Sequence, residues 1–311
     1  MGRVKLGTEN LANKLIEENK VSLSDIPFEA LTMSYKTRQK IQINNTLADT
    51  EWTNENMGGF MSLAPYPHHF IDFETITTAL PFHKGMKPYE MIAFQWSCHT
   101  IESPGAEPVH NEWLNTEPSY PDFRFAESLY EQIGNTEGTI FAWATHENTV
   151  LRGIHNRMVA QGYHNTDLIN WLYKIVKFDK DNLGEIFDMN TFTLEHYFHS
   201  IMKGKTSIKY VLPAVLAATE SSRIEKWLRE FSPDINLLSR DSSGIIENPY
   251  KNLPKDNGIN VSEGTAAMRG YTELLYGDDR QKLAYESALL RYCKLDTLAM
   301  VIIWEHWGTL V

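Results

Sequence analysis

A β-strand is predicted at His68-His69-Phe70-Ile71-Asp72-Phe73-Glu74-Thr75, where aromatic and branched residues alternate with polar ones. Side chains two positions apart lie on the same face of a strand, so Asp72 and Glu74 face one side and Ile71 and Phe73 the other. Two like charges on a buried face are costly unless a counter-charge lies beside them. Because a divalent cation supplies that charge, the pair suggests a metal site. A solvated strand end that only happens to carry two acids is the alternative.

Outward from this strand, the spacing of apolar residues predicts four more strands and a series of helices. The strands are expected at residues 91–100, 109–114, 139–144 and 186–189, and the helices at 125–133, 146–161, 193–202, 207–219, 264–276 and 279–308. Consecutive strands at the start favour hairpins, and the later alternation with helices favours parallel strands. The sequence therefore predicts an α/β fold with a mixed five-stranded sheet flanked by helices.

Three further residues could act with the strand acids. Thr145 is a plausible N-cap, which places Glu147 in the first turn of the next helix, at the carboxyl edge of the sheet. A first-turn Glu that complements the helix dipole is the alternative explanation. Tyr292 and Asp296 are four residues apart and project from one face of the last helix. An Asp within such an apolar helix needs a partner or a role.

These segments together resemble the DnaQ-like, or DEDD, 3′–5′ exonucleases. Phe-Ile-Asp72-Phe-Glu74-Thr is similar to their first motif, and Tyr292-x-x-x-Asp296 to the third motif of the DEDDy branch. The middle motif is usually Asn-x-x-Phe-Asp; here Trp143-Ala144-Thr145-His146-Glu147 occupies that place, so Glu147 replaces the usual Asp.

The chain also resembles, from about residue 67 to 307, an uncharacterised bacterial domain-of-unknown-function family with a predicted DEDDy core. The segments that carry this likeness are Pro67–Thr75, Lys87-Pro-Tyr89 with Phe94-Gln95, Thr206–Pro213 and Tyr292–Met300. Members of that family often carry the domain behind a different, nuclease-like domain. The resemblance therefore leaves room for an upstream nuclease-like domain or partner protein.

The resemblance implies an RNase H-like fold and a metal-dependent 3′–5′ exonuclease that acts on the 3′ end of single-stranded DNA or RNA. Two Mg²⁺ or Mn²⁺ ions would be held by four carboxylates: Asp72, Glu74, Glu147 and Asp296. Tyr292 would complete the catalytic set by positioning the attacking water. A catalytically degenerate nucleic-acid-binding or scaffold module, and an endonuclease of the same fold, are the alternatives.

Several other residues are candidates for supporting roles. Thr75 is expected to contact substrate, and Asp188, at the end of a short strand, could support the metal ligands. Ser207 could cap a helix whose N-terminus, with Lys205 and Lys209, holds a phosphate; a plain helix cap is the alternative.

Charge and composition limit the class of protein. The net charge of −11 argues against a protein that coats nucleic acid through a generally basic surface, but it is compatible with a nuclease. The two cysteines, Cys98 and Cys293, cannot form a zinc site alone and are expected to be reduced core thiols. No apolar run is long enough to span a bilayer and the start lacks a signal core, so we expect a cytoplasmic protein without a membrane partner.

The chain divides into two predicted regions. Residues 1–60 are expected to form a helical lead-in or connector, with Thr8 capping its first helix, and residues 61–311 to form the nuclease domain. Turn-forming residues are frequent in 220–262, which predicts a loop-rich insertion before the C-terminal helices, either a lid or a surface loop.

Overall fold

The computed structural model describes residues 5–6, 9–31, 35–233, 236–242, 244, 246–255 and 258–311. Its strands are β1 (Lys5–Leu6), β2 (Glu9–Asn10), β3 (Trp52–Thr53), β4 (His68–Ile76), β5 (Ile92–Ile101), β6 (Val109–Leu114), β7 (Thr139–Ala142), β8 (Ile186–Asp188) and β9 (Tyr197–Phe198). Its α-helices are α1 (Leu11–Glu17), α2 (Lys36–Ala48), α3 (Met57–Met61), α4 (Asp122–Ile133), α5 (His146–Ala160), α6 (Thr166–Ile175), α7 (Met189–His196), α8 (Ile208–Ala218), α9 (Ser222–Phe231), α10 (Gly264–Tyr276) and α11 (Asp279–Thr309).

A five-stranded sheet in the order β6-β5-β4-β7-β8 forms the centre of the fold. Strand β5 is antiparallel to both β4 and β6, whereas β7 runs parallel to β4, and β8 parallel to β7. The predicted mixed five-stranded sheet flanked by helices is thereby confirmed, because the early hairpins and the later crossovers both form. Strand β4 comes first in the chain among these five, lies in the middle of the sheet and pairs with a neighbour on each side.

The alternation of β4 separates two cores. Ile71 and Phe73 face the core beneath α4, α5 and α6, and Phe70 faces the opposite core, which includes α8, α10 and α11. Asp72 and Glu74 share the face of Phe70, as period-two geometry requires. Opposite them on β5 are Ser97 and Gln95, so this face of the sheet carries polar side chains beneath the last helix.

Two elements differ from those predicted. The helix expected at 193–202 begins earlier and ends at His196, after which β9 pairs with β3. Helix α6 was missed, although Leu168, Trp171, Leu172 and Ile175 have helical spacing and are buried.

The expected insertion, 220–262, is more ordered than its composition suggests. It begins with α9, whose residues Ile224, Trp227 and Leu228 are buried on one helical face, and it includes a short 3₁₀ turn, Pro249–Asn252. The described residues between these two elements, 232–233, 236–242, 244 and 246–248, form neither a helix nor a named strand, as predicted. The expected cap at Thr8 lies outside the described residues. Among the described helices, none combines the length and the apolar character that crossing a membrane requires.

Candidate metal centre

Two carboxylates project from the end of β4. Glu74 is buried and Asp72 partly buried, and both face α11. The register of β4 and β5 shifts between Glu74 and Thr75, so a β-bulge follows directly after the pair. The Thr75 hydroxyl, expected to contact substrate, lies 3.4 Å from Nε2 of His146. The structure therefore places Thr75 beside the start of α5.

Glu147 lies in the first turn of α5, the helix that follows the neighbouring strand β7. Strand β7 ends at Ala142, Ala144 has a positive φ of 74°, and α5 begins at His146 with Thr145 at its N-cap, as predicted. Glu147 is 2% exposed, and its Oε2 has no hydrogen-bond partner among the described groups. A first-turn acid that only complements the helix dipole would be solvated, so this burial does not fit that alternative.

Asp188 fixes the turn that presents Glu147. Its Oδ1 accepts hydrogen bonds from the backbone N–H of Ala144 at 3.1 Å and of Asn190 at 2.9 Å, and its Oδ2 accepts one from the Thr191 hydroxyl at 2.8 Å. Asp188 thus caps α7 and ties it to the β7–α5 turn. Asp188 therefore contacts the turn that leads to Glu147, and its support of metal ligands stays a prediction.

Helix α11 brings Tyr292 and Asp296 to the same place. Both are buried, at 5% and 6% exposure, and they lie one helical turn apart. Oδ1 of Asp296 accepts a hydrogen bond from the Tyr250 hydroxyl, and the rings of Tyr250 and Tyr292 meet edge to face at 6.2 Å. Tyr250 belongs to the insertion, in the 3₁₀ turn Pro249–Asn252, and is 2% exposed. The insertion is therefore part of the site.

The thiol of Cys293 also lies in the site, which sequence analysis missed. Its Sγ is 3.2 Å from Oδ2 of Asp72, and one ligand atom from each of Asp72, Glu74 and Cys293 lies within 4.8 Å of the others. Burial and the charge of Asp72 raise the pKa of this thiol well above its usual range, so it is a neutral donor to the carboxylate. Its position one residue after Tyr292 was the available signal.

Lys209 does not point outwards to hold a phosphate. Its Nζ donates to the Tyr292 hydroxyl at 3.1 Å and to the carbonyl of Ser262 at 2.8 Å. The ammonium group also lies over two aromatic rings, 5.1 Å from the centroid of Tyr250 and 5.0 Å from that of Tyr292. Lys209 is therefore the cation built into the inner wall of the site, whereas Lys205 and Ser207 are exposed.

Polar contacts seat α11 on the sheet along a single helical stripe. Gln95 Nε2 donates to the carbonyl of Leu289 at 3.0 Å, Cys293 contacts Asp72, and the Thr297 hydroxyl lies 2.8 Å from Ser97 Oγ and 2.7 Å from His99 Nδ1. These α11 residues are spaced by four, so they lie on one face. Tyr292 and Asp296 each precede one of them and are thereby held at the acids of β4.

Four carboxylates from three elements thus lie near enough for their charges to interact; we call them the acidic cluster: Asp72, Glu74, Glu147 and Asp296. Burial raises the pKa of each. The pKa of Glu147 rises to about 8, and that of Asp296 to about 6, where the Tyr250 hydrogen bond and the charge of Lys209 oppose the rise. The pKa values of Asp72 and Glu74 are raised well above their usual range by burial and by the charge of Asp296.

The acidic cluster carries more negative charge than the protein itself neutralises. The charge of Lys209 opposes the rise in the pKa of Glu74 and of Asp296, but the pKa values of all four carboxylates remain raised. A set of carboxylate oxygens, one of them buried and without a partner among the residues that the structure describes, suits a hard divalent cation, which would supply the missing charge. The neighbouring thiol lies beside Asp72 as a softer group.

Comparison with protein-family models shows a domain described as Domain of unknown function (DUF2779) over residues 69–207. The predicted resemblance to a family of unknown function is confirmed over these residues. The matched range includes Asp72, Glu74, Glu147 and Asp188, whereas Lys209, Tyr250, Tyr292 and Asp296 lie beyond it. No curated protein and no solved structure matches the chain.

Proposed function

We propose that this protein is a metal-dependent 3′–5′ exonuclease of the DEDDy type, acting on single-stranded DNA or RNA. The observation that carries the proposal is the burial of Glu147 in the acidic cluster, where its Oε2 has no hydrogen-bond partner in the described part of the chain. Clustered buried carboxylates raise the free energy of the folded protein unless a cation or protons neutralise them. Such an arrangement is typical of a site retained for chemistry.

The acidic cluster would hold two Mg²⁺ or Mn²⁺ ions. Such ions, when bound, supply a nucleophilic water near neutral pH and stabilise the charge that develops on the phosphate and the leaving oxygen. Carboxylate oxygens match the preference of both ions. The mixed sheet, with two acids on its central strand and two from adjoining helices, is the arrangement that the resemblance to RNase H-like nucleases implies.

Tyr292 would orient a reacting group by a hydrogen bond. Burial and the charge of Asp296 raise the pKa of its hydroxyl well above its usual range, so the phenol stays protonated and is unsuited to act as a base. Because Lys209 donates to the phenol oxygen, the proton of Tyr292 is free to be donated to a water or phosphate oxygen. Lys209 thereby sets the direction of that hydrogen bond.

The end of a nucleic-acid strand suits this site better than the interior of such a strand. Tyr250 and Lys209 cover the acidic cluster from the side of the insertion and of α8. Groups on this side would obstruct a continuous nucleic-acid strand more than a terminal nucleotide. This contact favours exonuclease over endonuclease action.

Degradation assays with end-labelled single strands test the proposal. With Mn²⁺ or Mg²⁺, 5′-labelled DNA or RNA should shorten stepwise, and 3′-labelled strands should release mononucleotides at once. Asp72→Ala and Asp296→Ala should abolish turnover while leaving the fold intact or more stable, because each removes one repelling charge. Asp167→Asn, at an exposed first-turn acid of α6, is the matched control and should leave activity unchanged.

The same assay separates the alternatives. Internal cuts without preference for the 3′ end would replace the exonuclease by an endonuclease of the same fold. A pure protein that binds strands but cleaves neither DNA nor RNA with either metal would be the degenerate nucleic-acid-binding module. If Asp72→Ala or Asp296→Ala retained turnover, the acidic cluster would not be the catalytic site.

A further inference from the structure

A small basic surface borders the acidic cluster in a chain whose net charge is −11. We call it the lysine–tyrosine patch; it consists of Lys203, Lys205, Tyr210 and Lys251. The three lysines are exposed and the tyrosine is partly exposed. The net negative charge of the whole chain does not explain this local cluster of positive side chains. The patch therefore differs in charge from the chain as a whole.

Two segments build the patch around one aromatic ring. Lys203 ends a short 3₁₀ turn in the left-handed conformation, with φ of 51°, and Lys205 follows it before α8 begins. Nζ of Lys205 donates to the Tyr210 hydroxyl at 2.7 Å and lies 4.3 Å from the ring centroid. The insertion adds Lys251, because Asn248 Nδ2 donates to the carbonyl of Lys209 at 3.2 Å and holds the 3₁₀ turn against α8.

Neighbouring residues in each segment point in different directions. Lys209 and Tyr250 contact Tyr292 and Asp296, whereas the residues that follow them, Tyr210 and Lys251, belong to the patch. The same two turns of backbone therefore form both the inner wall of the site and the surface beside it. A strand that enters the site from this side passes over the patch.

The lysines of the patch are available for an external anion. None of the carboxylates in the described ranges forms an ion pair with Lys203, Lys205 or Lys251. The hydrogen bond from Lys205 lowers the pKa of the Tyr210 hydroxyl, and the charges of Lys203 and Lys251 contribute to the same effect. Three cations around a partly exposed aromatic ring match the chemistry of a single nucleic-acid strand, which offers phosphates and unstacked bases.

We propose that the lysine–tyrosine patch binds the single strand just upstream of the metal centre, with the lysines on phosphates and one base stacked on Tyr210. This inference rests on the proposed function, since it names the path by which a 3′ end reaches the acidic cluster. A duplex would be held by the lysines alone, because its bases are already stacked. Lys205 would exchange its bond to the tyrosine hydroxyl for a phosphate oxygen.

Fluorescence anisotropy with labelled oligothymidylate and oligouridylate of about 20 nucleotides tests the patch in EDTA, where strands stay intact. A Lys203→Ala, Lys205→Ala, Lys251→Ala variant should bind about tenfold or more weakly, and its salt slope should fall by about 2. Tyr210→Ala should weaken single-strand binding about tenfold, whereas Tyr210→Phe, which keeps the ring, should bind like the wild type. Tyr210→Ala should leave duplex binding unchanged.

The matched control removes three exposed lysines at and after the end of α6: Lys174, Lys177 and Lys180. Helix α6 packs in the core on the opposite side of the sheet from α8, so this variant should bind like the wild type. An equal loss in both triple variants would show that only net charge matters and would overturn the patch. Binding to anionic lipid vesicles without binding to oligonucleotides would also overturn it.

Different results would contradict the proposed patch and the proposed nuclease activity. Strand hydrolysis with unchanged KM in the patch variants would overturn the patch and leave the proposed function intact. Binding that depends on the patch, without hydrolysis by the wild type in Mn²⁺ or Mg²⁺, would support the patch and contradict the nuclease.

Discussion

The hydroxyl of Tyr250 donates a hydrogen bond to Oδ1 of Asp296, so the insertion is joined directly to a carboxylate of the last helix. The bond is buried, and it opposes the rise in the pKa of Asp296 that burial causes. The segment around Tyr250 is thus held over the acidic cluster by the residue it covers.

Tyr250→Phe should destabilise the metal-free protein by about 1.5–3 kcal/mol, the scale for a hydrogen bond to a charged group. The ring still packs against Tyr292, but the buried carboxylate loses a donor. Unfolding in urea with EDTA measures the change, and hydrogen exchange should rise in residues 246–255. Tyr173→Phe, at an exposed tyrosine, serves as the control. Equal stability and equal exchange in both variants would show that Tyr250 does not hold the insertion.

Glu147→Gln should cripple strand hydrolysis about as much as Asp296→Asn, because each removes one negative ligand from the acidic cluster. Glu147→Asp should retain only part of the activity, since the shorter side chain starts from the same turn of α5 and reaches less far. Initial rates in Mn²⁺ give the comparison. A Glu147→Gln enzyme as active as the Asp167→Asn control would reduce Glu147 to a first-turn helix residue.

Tyr292→Phe should lower turnover by roughly 10²-fold or more, the scale of one positioned catalytic group. The melting temperature and metal affinity should change little, because the ring and the four carboxylates remain. Tyr292→Ala should in addition destabilise the fold by about 3–5 kcal/mol through the cavity it leaves. A fully active Tyr292→Phe enzyme would mean that Tyr292 is only a core aromatic and that the DEDDy assignment of mechanism is wrong.

The metal-free protein should lose stability as pH rises from about 4 to about 8. The unfolded carboxyls titrate near pH 4, whereas Asp296 and Glu147 titrate near pH 6 and pH 8 in the folded protein. The folded state therefore binds more protons within this window, and raising the pH favours the unfolded chain.

Thermal melts at several pH values, with EDTA and with Mn²⁺, check this dependence. Mn²⁺ should raise the melting temperature more at pH 8 than at pH 5, because protons compete with the ion for the same oxygens. Glu147→Gln should flatten the metal-free profile above pH 6. A wild-type profile that is flat from pH 5 to pH 8 would show that the acidic cluster is not buried in solution.

The sequence predicted those parts of the site that depend on local periodicity. Asp72 and Glu74 share a strand face, and Tyr292 and Asp296 share a helix face, because spacings of two and four fix these relations. Glu147 was located from its cap and the preceding strand. The five strands were found for the same reason, since each carries its own apolar pattern.

Contacts between distant segments could not be predicted in this way. Tyr250 lies in a stretch dominated by turn-forming residues, and only the tertiary structure shows that its ring is buried against α11. Lys209 was expected on a phosphate because local sequence does not show that Tyr292 is within its reach. Cys293 looked like an ordinary core thiol, and its contact with Asp72 depends on how α11 sits on the sheet.

Calorimetric titration of Mn²⁺ into the metal-free protein at pH 8 tests most directly whether the acidic cluster is a metal centre. The wild type and Asp167→Asn should bind two ions with release of protons, since the raised pKa of Glu147 keeps protons on the acidic cluster in the metal-free protein. Asp72→Asn should bind roughly 10²-fold more weakly or not at all. No binding by the wild type, or an unchanged isotherm in Asp72→Asn, would contradict the account.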